Sequence, residues 1–97
     1  MRLRYTLPAL ADLDAILDYI ATHSPQGAVR VHSRLQRMVG LLTTHPRIGA
    51  LTEDQVMRRL ATPPYPYLIF YQVTETEIIV HAFRHAPRNP SDMPGAT

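Results

Sequence analysis

The chain has 97 residues, 45% hydrophobic and 19% charged, with no Cys, no Trp and a formal net charge of +2. That length holds one hydrophobic core and excludes two, and the composition is too apolar for a disordered chain. With no cysteine there is neither a disulfide framework nor a thiolate zinc site, which fits a reducing cytoplasm.

Met1-Arg2-Leu3-Arg4-Tyr5 lacks the apolar core of a secretory signal. No apolar run reaches the roughly 18–20 residues of a membrane span. A cytoplasmic protein without a membrane partner is the expectation. Arg2 to Thr6 alternates polar and apolar residues, as a strand with one buried face does. Pro8 suits the first turn of a helix, where its missing N–H does no harm. Leu10, Leu13, Ile16, Leu17 and Ile20 then recur at three- and four-residue spacing and predict a helix over residues 8–22.

Ser24-Pro25 reads as an N-cap followed by proline at the first helical position. Ala28, Val31, Leu35, Met38, Val39 and Leu42 carry the apolar stripe of this second helix to about residue 43. The link between the helices is short, so they form an antiparallel hairpin. His45-Pro46-Arg47-Ile48-Gly49 ends the second helix, and residues 45–55 read as a loop. Met57 to Ala61 is a short strand stopped by Pro63-Pro64. Tyr67 to Val73 (YLIFYQV) has the aromatic and β-branched content of a central strand. Thr74-Glu75-Thr76 is a tight connection into a strand over residues 77–84, giving an antiparallel hairpin. The expected fold is α+β in the order β-α-α-β-β-β, an antiparallel sheet with a helical hairpin packed on one face. Residues 1–88 form the single domain and 89–97 a tail without core pattern.

All ten basic residues are Arg, as GC-rich codon usage would produce, and a guanidinium pairs bidentately with carboxylate or phosphate whatever the cause. Their distribution is uneven. Residues 8–23 hold Asp12, Asp14 and Asp18 without a base, and residues 24–48 hold Arg30, Arg34, Arg37 and Arg47 without an acid. A net +2 falls short of a nucleic-acid footprint, so sequence-specific DNA binding by the chain alone is not expected.

There is no phosphate-binding glycine loop, no HExxH and no GxSxG. His81 and His85 stand four apart in a strand, roughly 13 Å, too far to share an ion. Neither a metal site nor a cofactor is expected. Arg58, Arg59, Tyr71, Arg84, His85 and Arg88 flank strand ends and form a candidate phosphate- or target-binding patch, with His and Tyr available as acid or base. The competing reading makes the arginines edge charges, with Tyr71 in the core and Arg84 paired to an acid.

The segments ALADLDAILDYIA (9–21), SPQGAVRVHSRL (24–35), LLTTHPRIG (41–49), RRLATPPYPYLIFYQV (58–73) and IIVHAFRHAPR (78–88) resemble, in order and spacing, the ParE/RelE superfamily of type II toxin–antitoxin toxins. The nearest pieces are D-L-x-x-I-x-x-Y-I at 12–20, P-x-x-G at 46–49, Y-x-I-x-Y at 67–71 and R-H-x-x-R at 84–88. The resemblance covers residues 2–88 and is closest to ParE. It implies the toxin of a plasmid-stabilisation (addiction) module that inhibits DNA gyrase without chemistry of its own. It also implies neutralisation by a ParD-like antitoxin of ribbon-helix-helix type, whose acidic residues would meet Arg30, Arg34 or Arg37. A RelE-like member would instead be a ribosome-dependent mRNA endonuclease, with Arg84, His85 and Tyr71 as its catalytic set. The chain departs from RelE in having no Lys and in carrying Pro87, Pro90 and Pro94 where a terminal catalytic Tyr belongs. A catalytically silent homologue that serves only as an antitoxin partner is the third reading.

Overall fold

The computed structural model describes residues 1–86. Strand β1 (Arg2–Tyr5) leads into helices α1 (Leu7–His23) and α2 (Pro25–Leu42), followed by strands β2 (Ala50–Leu51), β3 (Met57–Ala61), β4 (Tyr67–Val73) and β5 (Glu77–His85). Each helix begins where its cap stands. The Thr6 hydroxyl accepts from Ala9 N at 3.1 Å and the Ser24 hydroxyl from Gly27 N at 2.9 Å, with Pro8 and Pro25 in the first turns. Ser24 also closes α1, donating its own N–H to Ile20 O at 2.8 Å. One residue therefore serves as the end of one helix and the start of the next, which makes the hairpin tight. Both helix ranges match the periodicity to within a residue.

The five strands form one sheet in the order β1-β5-β4-β3-β2. Tight turns join β2 to β3, β3 to β4 and β4 to β5, and these pairs run antiparallel. β1 lies parallel to β5, Arg2 beside Glu77 and Tyr5 beside Val80. The sheet is thus mixed, and the expectation of an all-antiparallel sheet is corrected in this respect. No turn connects β1 to its neighbour β5, because both helices and strands β2 to β4 intervene, so nothing local dictates its direction.

β2 falls in the segment expected as loop. Two residues cannot display a period of two, yet Ala50 and Leu51 pair with Arg59 and Arg58. Asp54 fixes the turn that follows. Its carboxylate accepts the N–H groups of Val56 and Met57, both at 2.9 Å, and the Thr52 hydroxyl at 2.8 Å. These bonds hold the Asp54 carboxyl below the usual carboxylate range, the Met57 and Val56 amides first.

The helical hairpin covers one face of the sheet. Val31, Leu35, Val39 and Leu42 of α2 are buried against Ile69 and Tyr71 of β4 and Ile78 and Val80 of β5, with Leu13, Ile16 and Leu17 of α1 packed at the margin. Each fully buried aliphatic side chain of this kind contributes roughly 1.5–3 kcal/mol. A bulge in β5 keeps the alternation in step. Tyr71 faces Val80 while Phe70 faces Ala82, which leaves His81 as the extra residue and returns Phe83 to the core side. On the opposite face Leu68, Phe70 and Ile79 are also buried, with Arg84 and Arg59 paired beside Leu68 and Phe70.

Candidate functional site

Neighbouring residues in a strand point to opposite faces, and this divides the expected patch. Arg58 is paired with Tyr71 on the helix side of the sheet, and Arg59 with Phe70 on the other side. The two arginines therefore do not share one surface.

Tyr71 is fully buried. Its phenol donates to the carbonyl of Pro46 and accepts the N–H of Gly49, each at 2.8 Å, bridging the two ends of the Pro46–Gly49 turn. Burial raises its pKa, against smaller lowering contributions from the Gly49 amide and the Arg58 charge. Arg58 braces the same turn, donating to Gly49 O at 2.7 Å and Arg47 O at 3.4 Å. Gly49 is required by space. A Cβ there would stand 2.8 Å from the Tyr71 hydroxyl oxygen and 2.9 Å from the Arg59 carbonyl. The P-x-x-G element thus carries a structural clasp. Its Pro, Gly and distant Tyr are one unit.

Arg84 and His85 sit at the other end of β5. Asp12 of α1 accepts Arg84 Nη1 at 2.6 Å and the backbone N–H of Phe83 at 3.1 Å. Beyond residue 80 that edge of β5 has no β1 residue beside it, and the Asp12 carboxylate fills part of the gap. Of the two readings offered for Arg84, the acid-paired one is seen. The His85 ring stands edge-on to Tyr67, with centroids 5.4 Å apart, and its Nδ1 donates to Ala86 O at 2.9 Å. Because His85 pairs with Tyr67, it stands about 13 Å along the sheet from Tyr71. Arg84 and His85 are neighbours at one end of β5 that point to opposite faces, Tyr71 and Arg58 share the helix side of the sheet further along, and the two groups are apart. Arg88 lies outside the described residues.

On α2, Arg30 and Arg37 are exposed, and Arg34 donates its Nε to Pro63 O at 2.7 Å. The polar faces of the two helices have opposite sign, since Asp14 and Asp18 are exposed on α1. Among the described residues no group of three or more His, Asp or Glu is arranged to hold a metal ion, and no helix is long and apolar enough to cross a membrane.

Two features went unread in the sequence. The carboxylate of Asp12 ties α1 to β5, and an open cleft gathers Met1, Ile48, Leu51 and Val56 at the β4–β5 turn end of the sheet. The apolar residues of the 45–56 loop were the available signal for the cleft.

Residues 3–90 match the family model described as the ParE toxin of the type II toxin–antitoxin system parDE. Toxin RelE2 of Caulobacter vibrioides is 39% identical over 84 residues, spanning 87% of this chain and 93% of that protein. A solved structure described as a chromosomal ParDE TA system from P. aeruginosa superposes with a TM-score of 0.75 at 28% identity, covering 90% of this chain and 97% of the other. Motif order, mixed-sheet fold and family match agree, and the chain belongs to the ParE toxin family of type II toxin–antitoxin systems.

Proposed function

We propose that this toxin inhibits DNA gyrase by binding, without bond-making chemistry of its own, and is neutralised by a ParD-like antitoxin of ribbon-helix-helix type. The observation that carries the reading is the separation of Tyr71 from Arg84 and His85. A ribonuclease that uses the 2′-hydroxyl as nucleophile needs a base, an acid and a charge-neutralising group within hydrogen-bond reach of one phosphate. Here the phenol is buried and holds a turn, and the guanidinium of Arg84 is held by Asp12. The small net charge supports the same reading, since gripping rRNA takes many phosphate contacts. The ParDE system of the P. aeruginosa neighbour supports the antitoxin. The basic face of α2, with Arg30, Arg34 and Arg37, is the surface proposed to meet its acidic residues.

A ribosome-dependent mRNA endonuclease is the second reading. It is favoured by the adjacent Arg84 and His85 and by the name RelE2 of the Caulobacter relative. Expression alone and together with a short cognate partner separates the readings. Gyrase inhibition produces a DNA-damage response and filamentation while translation continues, with rescue by the partner gene. Codon-specific cuts in ribosome-bound mRNA, lost in His85→Ala, identify the endonuclease. Harmless high-level expression without a partner identifies a silent homologue.

A further inference from the structure

At the end of the sheet where β4 turns into β5, an open cleft of about 970 Å³ lies between the Pro46–Gly49 turn, the β2–β3 hairpin and the start of β1. Half of its lining side chains are apolar. Met1, Ile48, Leu51 and Val56 are 55%, 49%, 46% and 54% exposed, four of the ten large hydrophobic side chains that the described residues leave in solvent. Scattered singly they would need no explanation, but here four of them line one concavity, the kind of surface on which an apolar side chain can be buried.

The wall of the cleft is held stiffly. Tyr71 bridges both ends of the Pro46–Gly49 turn, Arg58 braces its carbonyls, and Gly49 leaves no slack. A buried phenol and a guanidinium thus hold out an exposed Ile48 beside an exposed Arg47. Such pre-organisation lowers the ordering cost of binding.

Charge says what kind of molecule fits. Arg47, Arg58 and His45 stand round the cleft, with Glu75 as the one acid in its lining. Arg30, Arg34, Arg37 and Leu41 follow at four-, three- and four-residue steps on α2, one face about 17 Å long. The stripe ends one turn short of the cleft, where Leu41 O accepts the N–H of His45 at 2.7 Å and His45 is part of the lining. The exposed Asp14 and Asp18 of α1 would repel an acidic partner and leave α2 as its track.

We propose that the cleft receives a bulky apolar side chain from an acidic segment of the antitoxin, whose carboxylates lie along the Arg30–Arg34–Arg37 stripe. Ile48 and Leu51 are its anchors, and Tyr71 is a positioning residue that acts through the turn. The proposal rests on the reading of the chain as an antitoxin-neutralised toxin. A second copy of this chain is a poorer occupant, since it would bring the same basic rim against itself.

The test uses as the probe the cognate antitoxin that this reading expects, titrated against wild type, Ile48→Glu, Leu51→Glu and Leu7→Ser. All three sites are exposed, and melting curves check each fold. The proposal expects both cleft variants to bind at least about tenfold more weakly and Leu7→Ser to stay within about twofold. Wild-type affinity in both cleft variants overturns the cleft assignment and leaves the functional reading standing. An antitoxin that fails to bind the wild-type chain overturns that reading first, and the proposal with it. A concentration-dependent dimer of the free chain that Ile48→Glu abolishes, with antitoxin affinity unchanged, assigns the cleft to a second copy instead.

Discussion

The hydroxyl of Tyr71 is 2.8 Å from the amide of Gly49, at a spot where Gly49 has no room for a side chain. The pair fixes the turn between the last helix and the sheet. Tyr71→Phe removes both turn bonds and leaves the buried Gly49 N–H unpaired, at an expected cost of about 1–3 kcal/mol. Gly49→Ala drives a methyl group into the phenol and a carbonyl, with a loss of roughly 1–3 kcal/mol. The double variant should lose less than the sum, because removing the hydroxyl also removes part of the clash. Chemical denaturation of the four proteins checks this, and strict additivity would break the link between the residues.

Asp12 makes a second long-range tie, accepting Phe83 N and Arg84 Nη1. The Arg84 side chain is half exposed, so the ion pair itself contributes little. The amide of Phe83 matters more, because it lies at the edge of β5 that β1 does not reach. Asp12→Ala should cost about 1 kcal/mol, and Arg84→Ala distinctly less. Amide hydrogen exchange at Phe83 should quicken in the first variant and hardly change in the second.

Burial raises the pKa of Tyr5, Tyr67 and Tyr71 above the ordinary phenol value of 10.0. Between 10 and the raised values the folded chain keeps protons that the unfolded chain has lost. Stability from these groups is therefore fully present below about pH 10 and falls as pH rises through the folded values. Tyr71 alone gives a slope of up to about 1.4 kcal/mol per pH unit in that window. The stability gap between wild type and Tyr71→Phe should narrow above pH 10. A gap that stays constant to pH 11 would contradict the buried, neutral phenol.

The two helices were legible because caps and period agree. Ser24-Pro25 starts α2 where the apolar stripe begins, and one residue closes the hairpin. β2 was not legible, since two residues show no periodicity, and neither was the direction of β1, which no turn constrains. The split between Arg58 and Arg59 was present in the sequence as a simple alternation along β3. What Tyr71 does was hidden for a different reason. Its partners, Pro46 and Gly49, lie more than twenty residues away across a sheet whose register only folding sets. Asp12 was similarly obscured, as a carboxylate in a helix's second turn reads as a favourable dipole charge before it reads as a strand cap.

The basic face of α2 makes a salt-dependent prediction. Arg34→Glu with Arg37→Glu should weaken antitoxin binding by about tenfold or more at low salt, and the difference should shrink near 0.5 M salt as screening sets in. Calorimetric titration at two ionic strengths reads both numbers. Equal affinity at low salt would remove these arginines from the interface.

Gyrase supercoiling of relaxed plasmid, with purified toxin alone and with toxin plus its antitoxin, decides whether the toxin acts on gyrase. A gyrase inhibitor gives loss of supercoiling and accumulation of gyrase-cleaved DNA with toxin alone, full activity when antitoxin is added first, and the same inhibition by His85→Ala. Unimpaired supercoiling at toxin concentrations that stop growth, with cleavage of ribosome-bound mRNA that His85→Ala abolishes, would contradict gyrase inhibition.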